Sequence, residues 1–161
     1  MYRDASTPGN LLLVATGGTL VAYDRRSGHV AWRFEAGDHT SAHNGTRCVV
    51  EGNRVVTASS VAVDSMWSAD ALAVITCLDY PTGRVLWQQR VEGKLNASYF
   101  SATLLVDSGQ VLFAHGPVLA AFDLESGAMQ WSQPIEGRSG GPYQLASALI
   151  IPGRSEQADR R

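Results

Sequence analysis

One pattern occurs three times in this 161-residue chain: Asp24-Arg-Arg-Ser-Gly28-His-Val-Ala-Trp32, Asp79-Tyr-Pro-Thr-Gly83-Arg-Val-Leu-Trp87 and Asp123-Leu-Glu-Ser-Gly127-Ala-Met-Gln-Trp131. In each copy Asp precedes Gly by four positions and Trp by eight, and a further glycine (Gly37, Gly93, Gly137) closes the unit. Successive copies begin 55 and then 44 residues apart, the length of one propeller blade, about 40–50 residues. A fixed period of that size constrains the fold more than local propensity does, because each repeat must stack on the next to bury its apolar faces.

Each copy reads as a β-turn between two strands. Apolar-rich runs lead into the three aspartates: Leu20–Tyr23, Val74–Leu78 and Leu119–Phe122. An Asp at the start of a turn accepts hydrogen bonds from backbone N–H groups just ahead of it, and a glycine four residues on supplies a positive φ. Pro81, two residues into its turn, fits a position where a fixed φ helps. After the glycine, Val30 with Trp32, Val85 with Trp87 and Met129 with Trp131 alternate, which predicts that each pair shares a buried face. The three tryptophans are expected to act as wedges between neighbouring sheets.

Two further strands complete each repeat. Thr46–Val50 and Arg54–Thr57 flank the hairpin signal Glu51-Gly52-Asn53, and Tyr99–Val106 and Val111–Ala114 flank Asp107-Ser108-Gly109. With strands numbered from the propeller axis outward, residues 11–36 supply a second, third and fourth strand. Residues 46–92 and 98–136 supply two full blades, and 141–151 a lone inner strand. Residues 1–9 form an N-terminal arm, and the polar segment 154–161 is expected to be disordered. The fold class is all-β, a propeller of four-stranded antiparallel blades with three blade-equivalents. Rings need about 4–8 blades, so three are an incomplete ring. A second copy lending residues 141–151 to the first blade would give a six-bladed dimer. Another protein supplying blades, or a longer propeller of which this is a piece, are the alternatives.

The blocks Ala22-Tyr-Asp24, Cys77-Leu-Asp79 and Ala121-Phe-Asp123, each with its Gly and Trp, resemble the PQQ-like (quinoprotein alcohol dehydrogenase-like) propeller repeat. The resemblance covers nearly all of residues 10–153 and implies the propeller fold. The quinone-dependent dehydrogenases built from such repeats carry adjacent cysteines, a calcium site and about twice as many blades or more. This chain has no adjacent cysteines, so no quinone or other cofactor is expected.

Charged residues make up 17% and hydrophobic ones 45% of the sequence, the balance of a globular chain rich in buried strand. A net charge of −2 advertises neither nucleic acid nor an anionic membrane surface, and no run is long and apolar enough to span a membrane. The first residues lack an apolar leader, which gives an expectation of a cytoplasmic protein, or a periplasmic one if an upstream signal has been removed. Cys48 and Cys77 fall on strands two apart, roughly 9–10 Å from each other, too far for a disulfide. Free thiols suit a reducing compartment.

Blade connections alternate between the two faces of a propeller disc. One face is expected to carry only tight turns; the other carries Gly37–Gly45, the insertion Ser59–Leu72, Gly93–Ser98, His115–Pro117 and Gly137–Pro142. Binding residues favour long loops on a rigid scaffold. The candidates there are His39, His43, Met66, Trp67, Lys94, Asn96, Tyr99 and Arg138. His39 and His43 sit among loop residues with no shared helical face, so no metal is expected between them. His115 reads as a turn residue, and the sequons at Asn44 and Asn96 as chance. No nucleophile elbow, phosphate-binding loop or paired-cysteine motif is present. The expected function is a non-catalytic scaffold or protein-interaction module whose ring is completed by association. The alternative is a small-ligand-binding or metal-dependent enzyme using the axial funnel.

Overall fold

The computed structural model describes residues 9–35, 47–62, 70–96, 102–136 and 145 of the chain. Strands β1 (Leu11–Thr16), β2 (Thr19–Asp24) and β3 (Val30–Glu35) form the first sheet. The second comprises β4 (Arg47–Glu51), β5 (Arg54–Ala62), β6 (Asp70–Asp79) and β7 (Val85–Asn96), and the third β8 (Thr103–Asp107), β9 (Gln110–His115), β10 (Val118–Asp123) and β11 (Met129–Pro134). Within every sheet, sequential strands pair antiparallel. Among the described residues the three sheets are propeller blades of three, four and four strands, one for each copy of the repeat, and they do not close a ring. Strands β4 and β8 lie against each other, as inner strands of adjacent blades do. Among the described residues β1 has no neighbour on its inner side. The expected strand at 141–151 lies outside the described residues apart from Leu145.

Tight reversals are encoded where the sequence suggested them. Ser108 and Gly109 both adopt positive φ, +51° and +76°, the signature of a type I′ hairpin whose twist matches its strands. Inner strand β8 reads Thr-Leu-Leu-Val-Asp and buries all but its last residue, since a blade's inner strand is covered on both faces.

The apolar cores lie between the sheets. Leu11, Leu20, Ala22 and Trp32 of the first blade pack on Cys48, Val55, Leu78 and Tyr80 of the second. The opposite face of the second blade, with Val56, Ile75, Cys77 and Trp87, packs on Leu104, Val111, Phe113, Phe122 and Leu124 of the third. The two thiols therefore point into different cores, both buried and neither in a disulfide. Burial pushes the Cys77 thiol up to about 11.

Several expectations need correcting. Trp32 and Trp87 are buried, but Val30, Val85 and Met129 are exposed at 43%, 43% and 49%. The cause is a β-bulge at the same place in each blade. Trp32 pairs with Ala22 while Val30 pairs with Tyr23, and the same shift recurs at Cys77/Leu78 and Ala121/Phe122. Cross-strand partners share a face, so each bulge puts the valine or methionine on the face opposite its tryptophan. The insertion Ser59–Leu72 is also shorter than expected. β5 continues to Ala62 and β6 begins at Asp70, leaving only 63–69 between them. Likewise β7 runs to Asn96, which pairs with Asp70, so most of Gly93–Ser98 is strand. His115 ends β9 and is buried at 3%, its ring centroid 6.4 Å from that of Phe113; only Gly116 and Pro117 turn the chain there.

Candidate functional site

The three Asp–Gly turns share one backbone geometry. The N–H of Gly28, Gly83 and Gly127 each donates to the carbonyl of the Asp four residues earlier, at 2.8 Å in every case. The N–H of Asp24, Asp79 and Asp123 donates in turn to the carbonyls of His29, Arg84 and Ala128 at 2.8–2.9 Å. Oδ1 of Asp24 accepts from Arg26 N, Ser27 N and Ser27 Oγ at 2.9, 2.8 and 3.0 Å. Asp123 repeats this with Glu125 N, Ser126 N and Ser126 Oγ at 3.1, 2.7 and 2.8 Å. Those bonds, the one from the Ser27 or Ser126 backbone foremost, hold both carboxyls below the usual carboxylate value. In the middle turn Pro81 has no N–H to give, and Asp79 Oδ2 accepts from Thr82 Oγ1 at 2.5 Å. The recurrent aspartates are thus committed to their own turns.

The recurrent tryptophans are committed to the next blade. Trp32 Nε1–H donates to the Tyr80 carbonyl at 2.9 Å, and Trp87 Nε1–H to the Leu124 carbonyl at 2.8 Å. Both acceptors directly follow the Asp of the succeeding turn. Each indole also covers that turn's glycine: a Cβ on Gly83 would lie 2.5 Å from Trp32 Cδ2, and one on Gly127 2.5 Å from Trp87 Cδ2. Tyr80 strengthens the first junction, its hydroxyl accepting from Leu11 N at 2.7 Å and donating to Leu11 O at 3.3 Å.

A shallow cleft of about 580 Å³ opens on the tight-turn side, lined by Glu51, Gly52, Asn53, Arg54, Ser108, Gly109, Leu124 and Glu125. Across it Arg54 Nη2 meets Glu125 Oε2 at 2.6 Å, and that contact raises the Arg54 guanidinium above its usual value. The pair is partly exposed, so it ties the second and third blades together only modestly. The cleft lies on the face from which sequence reasoning expected nothing, and no local motif announces it, because Arg54 and Glu125 stand 71 residues apart.

Of the residues proposed for binding, His39, His43, Met66, Trp67, Tyr99 and Arg138 lie outside the described residues. Lys94 and Asn96 are in strand β7 rather than a loop. Among the described residues no group of three or more His, Cys, Asp or Glu is placed to hold a metal ion, and no helix is long and apolar enough to cross a membrane. The two thiols, on strands two apart and in separate cores, do not fit the adjacent cysteine pair of the quinone enzymes.

No curated protein matches the sequence. Similar folds occur in solved structures. BamB from Moraxella catarrhalis superposes with a TM-score of 0.56 at 21% identity, over 84% of this chain and 37% of BamB. A europium-containing methanol dehydrogenase superposes with a TM-score of 0.58 at 16% identity, over 80% of this chain and 24% of the enzyme. The quinohemoprotein alcohol dehydrogenase ADHIIG from Pseudomonas putida HK5 gives 0.58 at 12% identity, over 78% and 25%. The chain thus spans well under half the length of each. The model of the family described as outer membrane protein assembly factor BamB matches residues 3–148. By that match and by its three Asp–Gly–Trp blades, the chain belongs to this PQQ-like repeat propeller family.

Proposed function

We propose that the chain is a non-catalytic protein-interaction module, a partial propeller that works by docking against other protein surfaces. One observation carries this reading. The repeat's chemistry-bearing side chains are absorbed by turns and blade junctions, while the two end blades leave apolar surface in water. Leu12 and Val14 on the first blade are 56% and 43% exposed, and Trp131 on the last is 37% exposed. Membership of a family described as an assembly factor supports the same reading. We assign the module to the cytoplasm and give it no cofactor.

The test is photo-crosslinking in the native cell, with a photoreactive residue at position 14 or 131. Covalent adducts to protein at both positions are the expected result. The opposing reading, an enzyme of the axial funnel, is tested by adding pyrroloquinoline quinone and calcium and assaying dye-linked alcohol oxidation. Sustained turnover would overturn the proposal, as would an absence of protein adducts at both positions.

A further inference from the structure

The blade junction is a two-part device, and among the described residues each of its parts is left unused on one of the two outer blades. One part is a tryptophan whose Nε1–H and ring face reach forward. The other is an Asp–Gly turn that offers a backbone carbonyl and a bare glycine. Both internal junctions use them alike: Trp32 on the Tyr80/Gly83 turn, Trp87 on the Leu124/Gly127 turn. The third tryptophan, Trp131, pairs with Ala121 as Trp32 pairs with Ala22. It has the same forward orientation, yet it is 37% exposed where Trp32 and Trp87 are both 8%. The first turn is the mirror case. Gly28 has φ +72°, matching Gly83 at +70° and Gly127 at +74°, but a Cβ there would meet nothing within 4 Å.

The surrounding surfaces repeat the same complementarity. By register from the turn Asp, Leu12 of β1 corresponds to Val55 of β5 and Val111 of β9. Those two are 0% exposed, buried by the preceding blade, whereas Leu12 is 56% exposed. The polar contacts transpose without conflict too: the position of the Arg54–Glu125 bridge becomes Gln110 facing Arg26, which opposes no like charges. Arg25, where Tyr80 and Leu124 stand in the other turns, sends Nη1 to the Gly9 carbonyl at 3.2 Å, and its flat guanidinium suits stacking on an indole.

We infer that the occupant of each end is a second copy of this chain, with Trp131 of one protomer seated on the Arg25–Gly28 turn of the other. This rests on the interaction-module reading and names its partner. Two copies joined this way satisfy both ends at once, because the contact is made twice by two-fold symmetry. Six blades lie within the range of closed rings, which three do not reach.

Sedimentation equilibrium of the full chain at micromolar concentration tests the inference with three variants. Gly28→Asn keeps a residue tolerant of positive φ but fills the space the indole needs. Trp131→Ala removes the donor and ring, and Leu12→Asp charges a side chain that is already exposed. Wild type is expected to associate, and each variant to associate at least tenfold more weakly with unchanged far-ultraviolet circular dichroism. An equimolar mixture of the Gly28→Asn and Trp131→Ala chains should recover association, since it restores one intact Trp131–Gly28 contact. A monomeric wild type would overturn the inference, as would association that survives all three variants or a mixture that recovers nothing. A monomer with protein adducts in cells would leave the interaction-module reading standing, and a dimer with quinone turnover would sink that reading alone.

Discussion

Adding one methyl group at Gly127 tests whether the tryptophan–glycine contact holds neighbouring blades together. Gly127 has φ +74°, and a Cβ there would lie 2.5 Å from Trp87 Cδ2 and 2.7 Å from Cε3. The substitution carries two costs. An L-residue in this region is strained by about 1–2 kcal/mol. The ring must then withdraw from its seat, and with it the Nε1–H bond to the Leu124 carbonyl. Truncating a buried aromatic costs about 3–5 kcal/mol; a displaced ring loses part of that, about 2 kcal/mol. Gly109 is the control. Its φ is +76°, but nothing lies within 4 Å of its added Cβ, so only the backbone strain applies. Gly127→Ala should therefore destabilise the chain by about 3–4 kcal/mol and Gly109→Ala by about 1–2 kcal/mol. Urea denaturation monitored by tryptophan fluorescence measures both, and near-ultraviolet circular dichroism reports the Trp87 environment. Equal midpoints for the two variants, with an unchanged near-ultraviolet spectrum, would refute the reasoning.

The Asp24 and Asp123 carboxyls are held below their usual value in the fold, so their contribution to stability is present above about pH 4, the unfolded value. It is lost as pH falls through the folded values, and Asp24→Asn with Asp123→Asn should flatten that part of the acid limb in urea titrations at successive pH. Cys77, with its pKa raised to about 11 by burial, and the buried Cys48 should resist a thiol reagent at pH 8 until denaturant is added; rapid labelling of the folded chain would contradict their placement. Ser108 carries the one positive φ of a non-glycine residue among the described residues, +51°. Ser108→Gly should therefore stabilise the chain by about 0.5–1 kcal/mol in thermal unfolding, and a loss of stability would count against the type I′ turn.

The blade count and junction residues were legible because the Asp–Gly–Trp offset is the same in all three copies, and only a repeated structural demand keeps such an offset. The strand extensions were not legible. Ser59-Ser60-Val-Ala62 and Asp70-Ala-Leu-Ala73 look like loop and small-residue sequence, yet they extend the β5–β6 ladder from Ser59↔Val74 through Ala62↔Ala71. Backbone hydrogen bonds close that ladder whatever the side chains are, and β7 supplies the third strand as far as Asn96. The Arg54–Glu125 cleft was hidden for a different reason. Its residues come from separate blades, and they meet only once the cores of those blades have stacked.

The bulge was the least visible feature, and it gives the repeat its direction. Residues 30 and 32 look like one face of an alternating strand, but Ala31 falls in the bulge, as do Leu86 and Gln130 in the other blades. Without the bulge, pairing from Tyr23↔Val30 would set Trp32 opposite Val21, on the side facing away from the second blade. With it, Trp32 stands opposite Ala22, on the side that packs against the second blade, and reaches the Tyr80 carbonyl. The eight-residue spacing from Asp to Trp thus holds a turn plus one extra residue that turns the indole toward the next blade. The same shift recurs at Ala121/Phe122, so Trp131 is aimed outward by the same backbone rule that buries Trp32 and Trp87. The repeat itself is unchanged there; Trp131 is exposed because, among the described residues, no fourth blade stands against it.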